Sequence, residues 1–384
     1  MTAIPGELNC FGQKPMRPGQ SGALFILEGR VMRNKIGFGV IGCGAIAPWH
    51  AGSILNVPDA ELVAVCDIVR ERAEALSEGH GSPRVYTDYR EMLADPQVDA
   101  VCICAPSGMH AEMGIEAAKA GKHILTEKPI DITLPKIDEF IQTAHNCNVK
   151  LGVIFQRRTS SLWRMIREVV ASGILGKLIL GDVYMKYYRG QEYYDSSDWR
   201  GTWALDGGGA LMNQGVHCVD LMRWIMGPVD TVFAHADHLV RKIEVEDTAV
   251  AAVKFKNGAF GVIEAATSVY PGMDHRLEFH GEKGTIAVHG ETITKWDLPE
   301  GAPDLSGASG SESGVDIKVG TARSSPTPVA MAGHKTLIAD LVSSIKEDRD
   351  PLVTGEEARK SIEIILGIYR SAGTQQPVGF PLVV

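Results

Sequence analysis

A lysine and a histidine stand out as groups able to move a proton. Lys128 closes the apolar run His123-Ile-Leu-Thr126 within Glu127-Lys128-Pro129. The proline biases Lys128 away from helical angles towards an extended or turn geometry. An ammonium held stiffly at a strand end can hydrogen-bond a substrate hydroxyl and help to move its proton, because burial lowers a lysine pKa. The plainer reading of Lys128 is a surface ion pair with Glu127. His217 lies in Gly207-Gly208-Gly209-Ala-Leu-Met-Asn213-Gln-Gly-Val-His217-Cys-Val-Asp220, a stretch that reads as one buried helix ending at Gly227. Asn213, His217 and Asp220 recur at i, i+4 and i+7, one polar stripe on an apolar helix. Buried polar groups need partners, and a histidine satisfied in the core is the bland outcome. The catalytic reading makes His217 general acid/base for an alcohol proton and Asn213 the group that orients the hydroxyl. Asp220 then either fixes the His217 tautomer or pairs elsewhere, and the three glycines let a small molecule approach the backbone.

Aromatic and cationic side chains crowd the stretch before that helix: Tyr187-Tyr188-Arg189, Tyr193-Tyr194 and Trp199-Arg200. Rings stack on sugar faces and guanidinium groups reach hydroxyls or anions, although an interface between domains or subunits uses the same chemistry. The candidate substrate-binding set is therefore Arg157, Tyr188, Arg189, Trp199 and Arg200, with Asn213 and His217.

A second motif supplies a partner for such a reaction. Gly42-Cys43-Gly44-Ala45-Ile46-Ala47 fits GxGxxG/A directly after a strand and opens a helix. Gly42 permits the tight turn, Gly44 lets the backbone approach a pyrophosphate, and the helix N-terminus offers free N–H groups to phosphate. The next strand ends in Asp67, placed to accept hydrogen bonds from adenosine ribose hydroxyls and to repel a 2'-phosphate, which favours NAD over NADP. Arg70 and Arg72 follow and could accommodate a phosphate if turned inward. Ala105-Pro106-Ser107 ends a third strand at the same carboxyl edge, and His110 is either a cofactor contact or a helix-cap histidine. The cofactor-binding candidates are Gly42, Gly44, Ala45, Ile46, Asp67, Arg70, Ala105, Pro106, Ser107, His110, Glu127 and Lys128. Neither HExxH nor a Cys/His ligand spacing suggests a catalytic metal.

The elements that must position these groups change character near residue 155. From Lys35 the pattern alternates strand and helix, with runs such as AVCICA apolar on both faces, as a parallel sheet covered by helices requires. Beyond Phe155 long stretches carry strand period, among them KLILGDVYMKYY, TVFAHADHLV, DTAVAAVKF, GAFGVIEAATS and HRLEFHG. Asn257-Gly258 marks a hairpin, Gly281 to Gly284 a second turn, and two amphipathic helices, near 335–346 and 356–371, close the chain. The expected fold is α/β: a doubly wound Rossmann domain at 33–155, then an α+β substrate-binding and oligomerisation domain at 156–384 with a large, mostly antiparallel sheet. Residues 1–32 read as an N-terminal extension, and 300–328 as a surface loop rich in Gly, Ser and Pro.

Bulk properties exclude several partner classes. With 38 Lys and Arg against 47 Asp and Glu, the net charge of -9 argues against nucleic acid and leaves a small molecule as the natural partner. Seven cysteines without a CxxC pair read as free thiols of a reducing, cytoplasmic compartment. No apolar run approaches the ~20 residues that span a bilayer.

GCGAIA, the Asp67 strand end, EKP at 127–129 and the GGGALMNQGVHCVD segment together resemble the Gfo/Idh/MocA oxidoreductases from about Lys35 onwards. The resemblance implies oxidation or reduction of a hydroxyl or carbonyl on a sugar, cyclitol or nucleotide sugar with NAD or NADP. By motif position it puts Lys128 and His217 at the reacting carbon. Inositol-dehydrogenase-like members usually carry aspartate four residues before the histidine; Asn213 stands there instead, so an Asp–His relay is unsupported, and the asparagine form is more similar to the branch with nucleotide-sugar 3-dehydrogenases. The family also implies a homodimer or homotetramer joined through the open face of the second sheet. It further includes glycosidases that use bound NAD in a redox-neutral cycle, and a non-catalytic NAD-binding sensor is the rival from outside enzymology.

Overall fold

The computed structural model describes residues 35–300 and 328–383. The N-terminal extension and, but for its two end residues, the 300–328 stretch lie outside the described residues.

The first half is a parallel sheet wrapped by helices. Its strands are β1 (Ile36–Ile41), β2 (Ala60–Cys66), β3 (Arg84–Tyr86), β4 (Ala100–Ile103), β5 (His123–Thr126) and β6 (Leu151–Val153), in spatial order 3-2-1-4-5-6. This is the doubly wound order that binds ligands where the winding reverses, between β1 and β4. Helices α1 (Ala47–Leu55), α2 (Arg70–Gly79), α3 (Tyr89–Ala94), α4 (His110–Lys119) and α5 (Leu134–Asn146) make the crossovers. Strand β4 is buried along its whole length, consistent with cover on both faces. Asp88 caps α3 by accepting the Arg90 N–H at 2.9 Å.

After β6 come the turn Gln156–Thr159, α6 (Ser161–Ala171), β7 (Leu178–Lys186), α7 (Gln191–Asp195), α8 (Val216–Met226) and β8 (Val229–Asp237). Strands β9 (Thr248–Phe255), β10 (Phe260–Ala266), β11 (Arg276–Gly281), β12 (Thr285–His289) and β13 (Thr292–Asp297) follow, then α9 (Pro328–Glu347), α10 (Gly355–Thr374) and β14 (Val378–Gly379). The second sheet runs 13-12-11-7-10-9-8-14; β10 pairs in parallel with β7, and the other neighbouring pairs are antiparallel. Alternation puts Leu180, Phe233, Val250 and Phe260 on one exposed face, while Val183, Val253, Phe255 and Ile263 are buried on the other. The last two helices reach back to the first sheet: Lys346 pairs with Asp59 at 2.8 Å and Lys150 with Asp348 at 2.7 Å.

Two features depart from the sequence reading. The elements α6, α7, β13 and β14 are additional to those expected. The stretch 207–227 is not one helix either: Ala210–Gly215 is a π-helical turn and α8 begins only at Val216. The cause is long-range, because the buried Glu246 carboxylate accepts the N–H groups of Gly209 (2.9 Å) and Leu211 (2.8 Å). The triple glycine is required by this packing. A Cβ on Gly208 would fall 2.1 Å from the Tyr369 hydroxyl, and one on Gly209 2.0 Å from the Glu246 carbonyl oxygen.

Candidate active site

The glycine turn has the geometry that a dinucleotide needs. Gly42 has φ +89°, and a Cβ there would press on the Cys104 backbone at 2.8 Å, so the position requires glycine. Gly44 and Ala45 are exposed at the mouth of α1, and a Cβ on Gly44 would meet no neighbour within 4 Å among the described residues. That open space beside helical N–H groups suits a pyrophosphate. Ile46 is the N-cap of α1. Asp67 fixes the turn with both oxygens, accepting the N–H of Cys43 at 2.7 Å and of Val69 at 2.8 Å. Each oxygen keeps a further lone pair for a ribose hydroxyl. Ala105 and Pro106 are half-buried at the end of β4, with Ser107 buried behind them.

Three cofactor candidates are engaged elsewhere. Arg70 is exposed and pairs with Glu74 at 2.8 Å, one turn along α2. The ring nitrogens of His110 lie 2.7 Å from the Pro129 carbonyl and 2.8 Å from that of Ala105, so the ring ties two strand ends together and has no nitrogen left for a nucleotide. Glu127 is buried beneath the site: His50 and His334 stand 2.8 and 3.2 Å from its Oε1, while its Oε2 accepts the Lys128 N–H at 3.2 Å. Burial alone would raise the Glu127 pKa, but hydrogen bonds from His334 and His50 hold it well below the usual carboxylate value. The three groups are close enough to hold a metal ion, as are Asp182, Glu278 and His280 on the second sheet, although hydrogen bonds account for the first group as it stands.

Lys128 and the His217 helix meet. The Lys128–Pro129 bond is cis, and the ammonium donates to the Asn213 carbonyl at 2.9 Å, four residues before His217 at the junction of the π-turn and α8. Asp206 completes this corner. It accepts Asn213 Nδ2 at 2.6 Å and the Gly201 N–H at 2.9 Å, so the Asn213 amide is held by protein. Burial lowers the Lys128 pKa, opposed by Glu127 and Asp206 and reinforced by Arg200 and Arg189. Burial also pushes the His217 pKa well below 6.5, and the charges of Lys128 and Arg157 add to it. A neutral imidazole beside an ammonium of lowered pKa is a pair suited to shuttling an alcohol proton at neutral pH.

Asp220 stands apart from this pair. Its oxygens accept Arg158 at 2.7 and 2.6 Å and Ser361 at 2.7 Å, all buried, while no described group bonds His217 Nδ1. Of the alternatives open for Asp220, the structure therefore shows pairing elsewhere. The candidate binding residues gather more closely. Arg189 donates to Gln214 Oε1 at 2.8 Å, Arg200 donates to the Tyr193 hydroxyl at 2.6 Å and stacks on Tyr193 and Trp199, and Tyr188 lies edge-on to Tyr270. Arg157 donates to His275 Nε2 at 2.7 Å and to Cys218 Sγ at 3.4 Å.

Sequence reasoning missed Asp206, Gln214, His275, His50 and His334. Asp206 directly precedes the triple glycine, a signal that could have been read. His275 lies 118 residues from Arg157 and His334 207 from Glu127, separations that no local pattern reveals.

The comparisons agree with this architecture. Residues 36–155 match the model of the oxidoreductase family with an NAD-binding Rossmann fold, and residues 163–287 match the GFO/IDH/MocA C-terminal domain. The chain is 33% identical to myo-inositol 2-dehydrogenase of Thermotoga maritima over 65% of its own length and 73% of that protein's. It is 32% identical to D-glucoside 3-dehydrogenase of Escherichia coli, covering 63% and 66% of the two chains. The WlbA dehydrogenase from Bordetella pertussis, solved with NADH and UDP-GlcNAcA, superposes with TM-score 0.81 at 33% identity, over 91% of this chain and all of that one. Since the two models together account for most of its length, the chain belongs to the GFO/IDH/MocA family of NAD-binding oxidoreductases.

Proposed function

We propose that this enzyme transfers a hydride between NAD and a secondary hydroxyl or ketone carbon of a sugar, cyclitol or nucleotide sugar, with Lys128 and His217 handling the hydroxyl proton. Gly42, Gly44, Ala45, Ile46 and Asp67 would hold NAD, which when bound would supply the hydride acceptor. In the oxidation direction neutral His217 takes the hydroxyl proton as the C–H hydride departs, and Lys128 stabilises the developing alkoxide through a hydrogen bond. Alcohol and NAD thus become ketone, NADH and one proton. The contact between the Lys128 ammonium and the Asn213 carbonyl, four residues before His217, carries the reading.

The named relatives with a stated activity support dehydrogenation rather than the glycosidase cycle. A non-catalytic sensor would have no use for Lys128 or His217. The test is a panel of polyols, aldoses, glycosides and nucleotide sugars offered with NAD. A dehydrogenase accumulates NADH in step with ketone; release of an aglycone alcohol without net NADH would overturn it. We also divide the chain at residues 155 and 156, a split that the bounds of the two family models support. The apolar open face bearing Phe233, Val250 and Phe260 supports a homodimer or homotetramer. A cytoplasmic location fits the free cysteines and the carbohydrate substrate, and no helix among the described residues is long and apolar enough to cross a membrane.

A further inference from the structure

Two adjacent arginines in the turn Gln156–Thr159 have opposite surroundings. Arg158 is buried and neutralised by Asp220 through two hydrogen bonds and by Glu357 at 3.2 Å. Arg157 has no carboxylate at ion-pair distance among the described residues. Its guanidinium donates to His275 Nε2, lies 3.4 Å from His275 Nδ1 and bonds Cys218 and Tyr187, all uncharged, since burial and Arg157 itself keep the His275 imidazole well below its ordinary pKa and burial pushes the Cys218 thiol and the Tyr187 phenol up. Glu291 acts on Arg157 from beyond ion-pair distance, with one oxygen accepting Trp163 Nε1 at 3.0 Å and the other 3.9 Å from His275. Arg157 is only half-buried, so part of its surface is open, and its charge reaches His217. Arg189 and Arg200 repeat the pattern on the Lys128 side. Both act on the Lys128 charge, both bond only uncharged groups, and each leaves a buried Nε without a partner.

Uncompensated, partly desolvated guanidinium groups are costly unless an anion completes them. With both N–H groups of Nη1 taken by His275 and Cys218, the Nε–Nη2 edge of Arg157 is the side that offers an oxyanion two donors in one plane. Resting on the dehydrogenase reading, we propose that the substrate is an acidic sugar, with an oxyanion on or next to the ring bound by Arg157 beside the reacting carbon. A ring carboxylate and a sugar phosphate share this chemistry, and both place negative charge beside guanidinium groups that Glu291 and Asp206 reach only from beyond ion-pair distance.

The experiment offers NAD-loaded enzyme one hexose in three forms: neutral, as the 6-uronate and as the 6-phosphate. Binding is followed calorimetrically and turnover by NADH formation. Wild type should prefer one of the charged forms by roughly 10- to 100-fold in both readouts, and the favoured form tells carboxylate from phosphate. Arg157→Gln should erase that preference, bringing the neutral and charged forms within about threefold of one another in both readouts. Arg157→Lys, which keeps the charge without the fork, should retain part of it, and melting curves of both variants show that they are folded. Equal affinity of wild type for all three forms, or an anion preference surviving in folded Arg157→Gln, overturns the proposal. Selective binding of a charged sugar without NADH formation would instead leave this inference standing and remove the dehydrogenase reading.

Discussion

Replacing Asp220 by asparagine separates folding from chemistry on the helix that carries both Asp220 and His217. Asp220 and Arg158 are 1% and 3% exposed, and the carboxylate meets the guanidinium at 2.7 and 2.6 Å and Ser361 at 2.7 Å. Removing one member of a buried pair leaves the other charge stranded, at a cost of about 3–5 kcal/mol. Because Glu357 still reaches Arg158 at 3.2 Å, Asp220→Asn should fall near the lower end, about 3 kcal/mol. With an unfolding entropy of about 2.1 cal/mol/K per residue, a chain of 384 residues loses roughly 1–2 °C per kcal/mol, so Tm should drop by roughly 3–6 °C. Differential scanning calorimetry gives the first number, and the pH profile of kcat/KM well below the variant's Tm gives the second. If Asp220 only braces the fold, that profile keeps the wild-type position of its acid limb. An unchanged Tm with a shifted acid limb would refute the reasoning, because it would mean that Asp220 serves the His217 imidazole.

Further expectations follow from the glycine turn and from the charges around His217. Gly44→Val sets a Cβ where no described neighbour lies within 4 Å, so Tm should hold while NADH affinity, read by fluorescence titration, falls on the order of 100-fold. Gly42→Ala sets a Cβ against the Cys104 backbone at a positive φ, so it should lower Tm by an amount corresponding to about 1–3 kcal/mol. Burial, Lys128 and Arg157 all lower the His217 pKa, so the base stays neutral well below pH 6.5 and the acid limb of kcat/KM should lie there. Lys128→Met removes one of the two cations and should move that limb of the residual activity to higher pH; a move to lower pH would contradict the assignment.

Much of this was legible because it is local. The strand before Gly42, the glycine turn itself and the Lys128 strand end are each specified within about ten neighbouring residues, and a parallel sheet follows from their alternation with helices. The parts that escaped depend on distant partners. Helical periodicity through Asn213 and Asp220 gave no warning of the π-turn, which needs Glu246, 37 residues from Gly209, to take up its amides. Asp220 sat on the expected stripe, yet its counter-charge came from Arg158, 62 residues earlier. Glu127 belonged to a motif at the cofactor edge, but two histidines from α1 and α9 drew its carboxylate beneath the site instead.

The central claim is that the Lys128 ammonium and the His217 imidazole act together on one hydroxyl group next to the nicotinamide. Single-turnover hydride transfer by Lys128→Ala, measured with a substrate of the wild-type enzyme and with NAD affinity determined in parallel, tests it most directly. The account expects NAD to bind essentially as before and the transfer rate to fall by ~10² or more. A rate equal to that of wild type would contradict it.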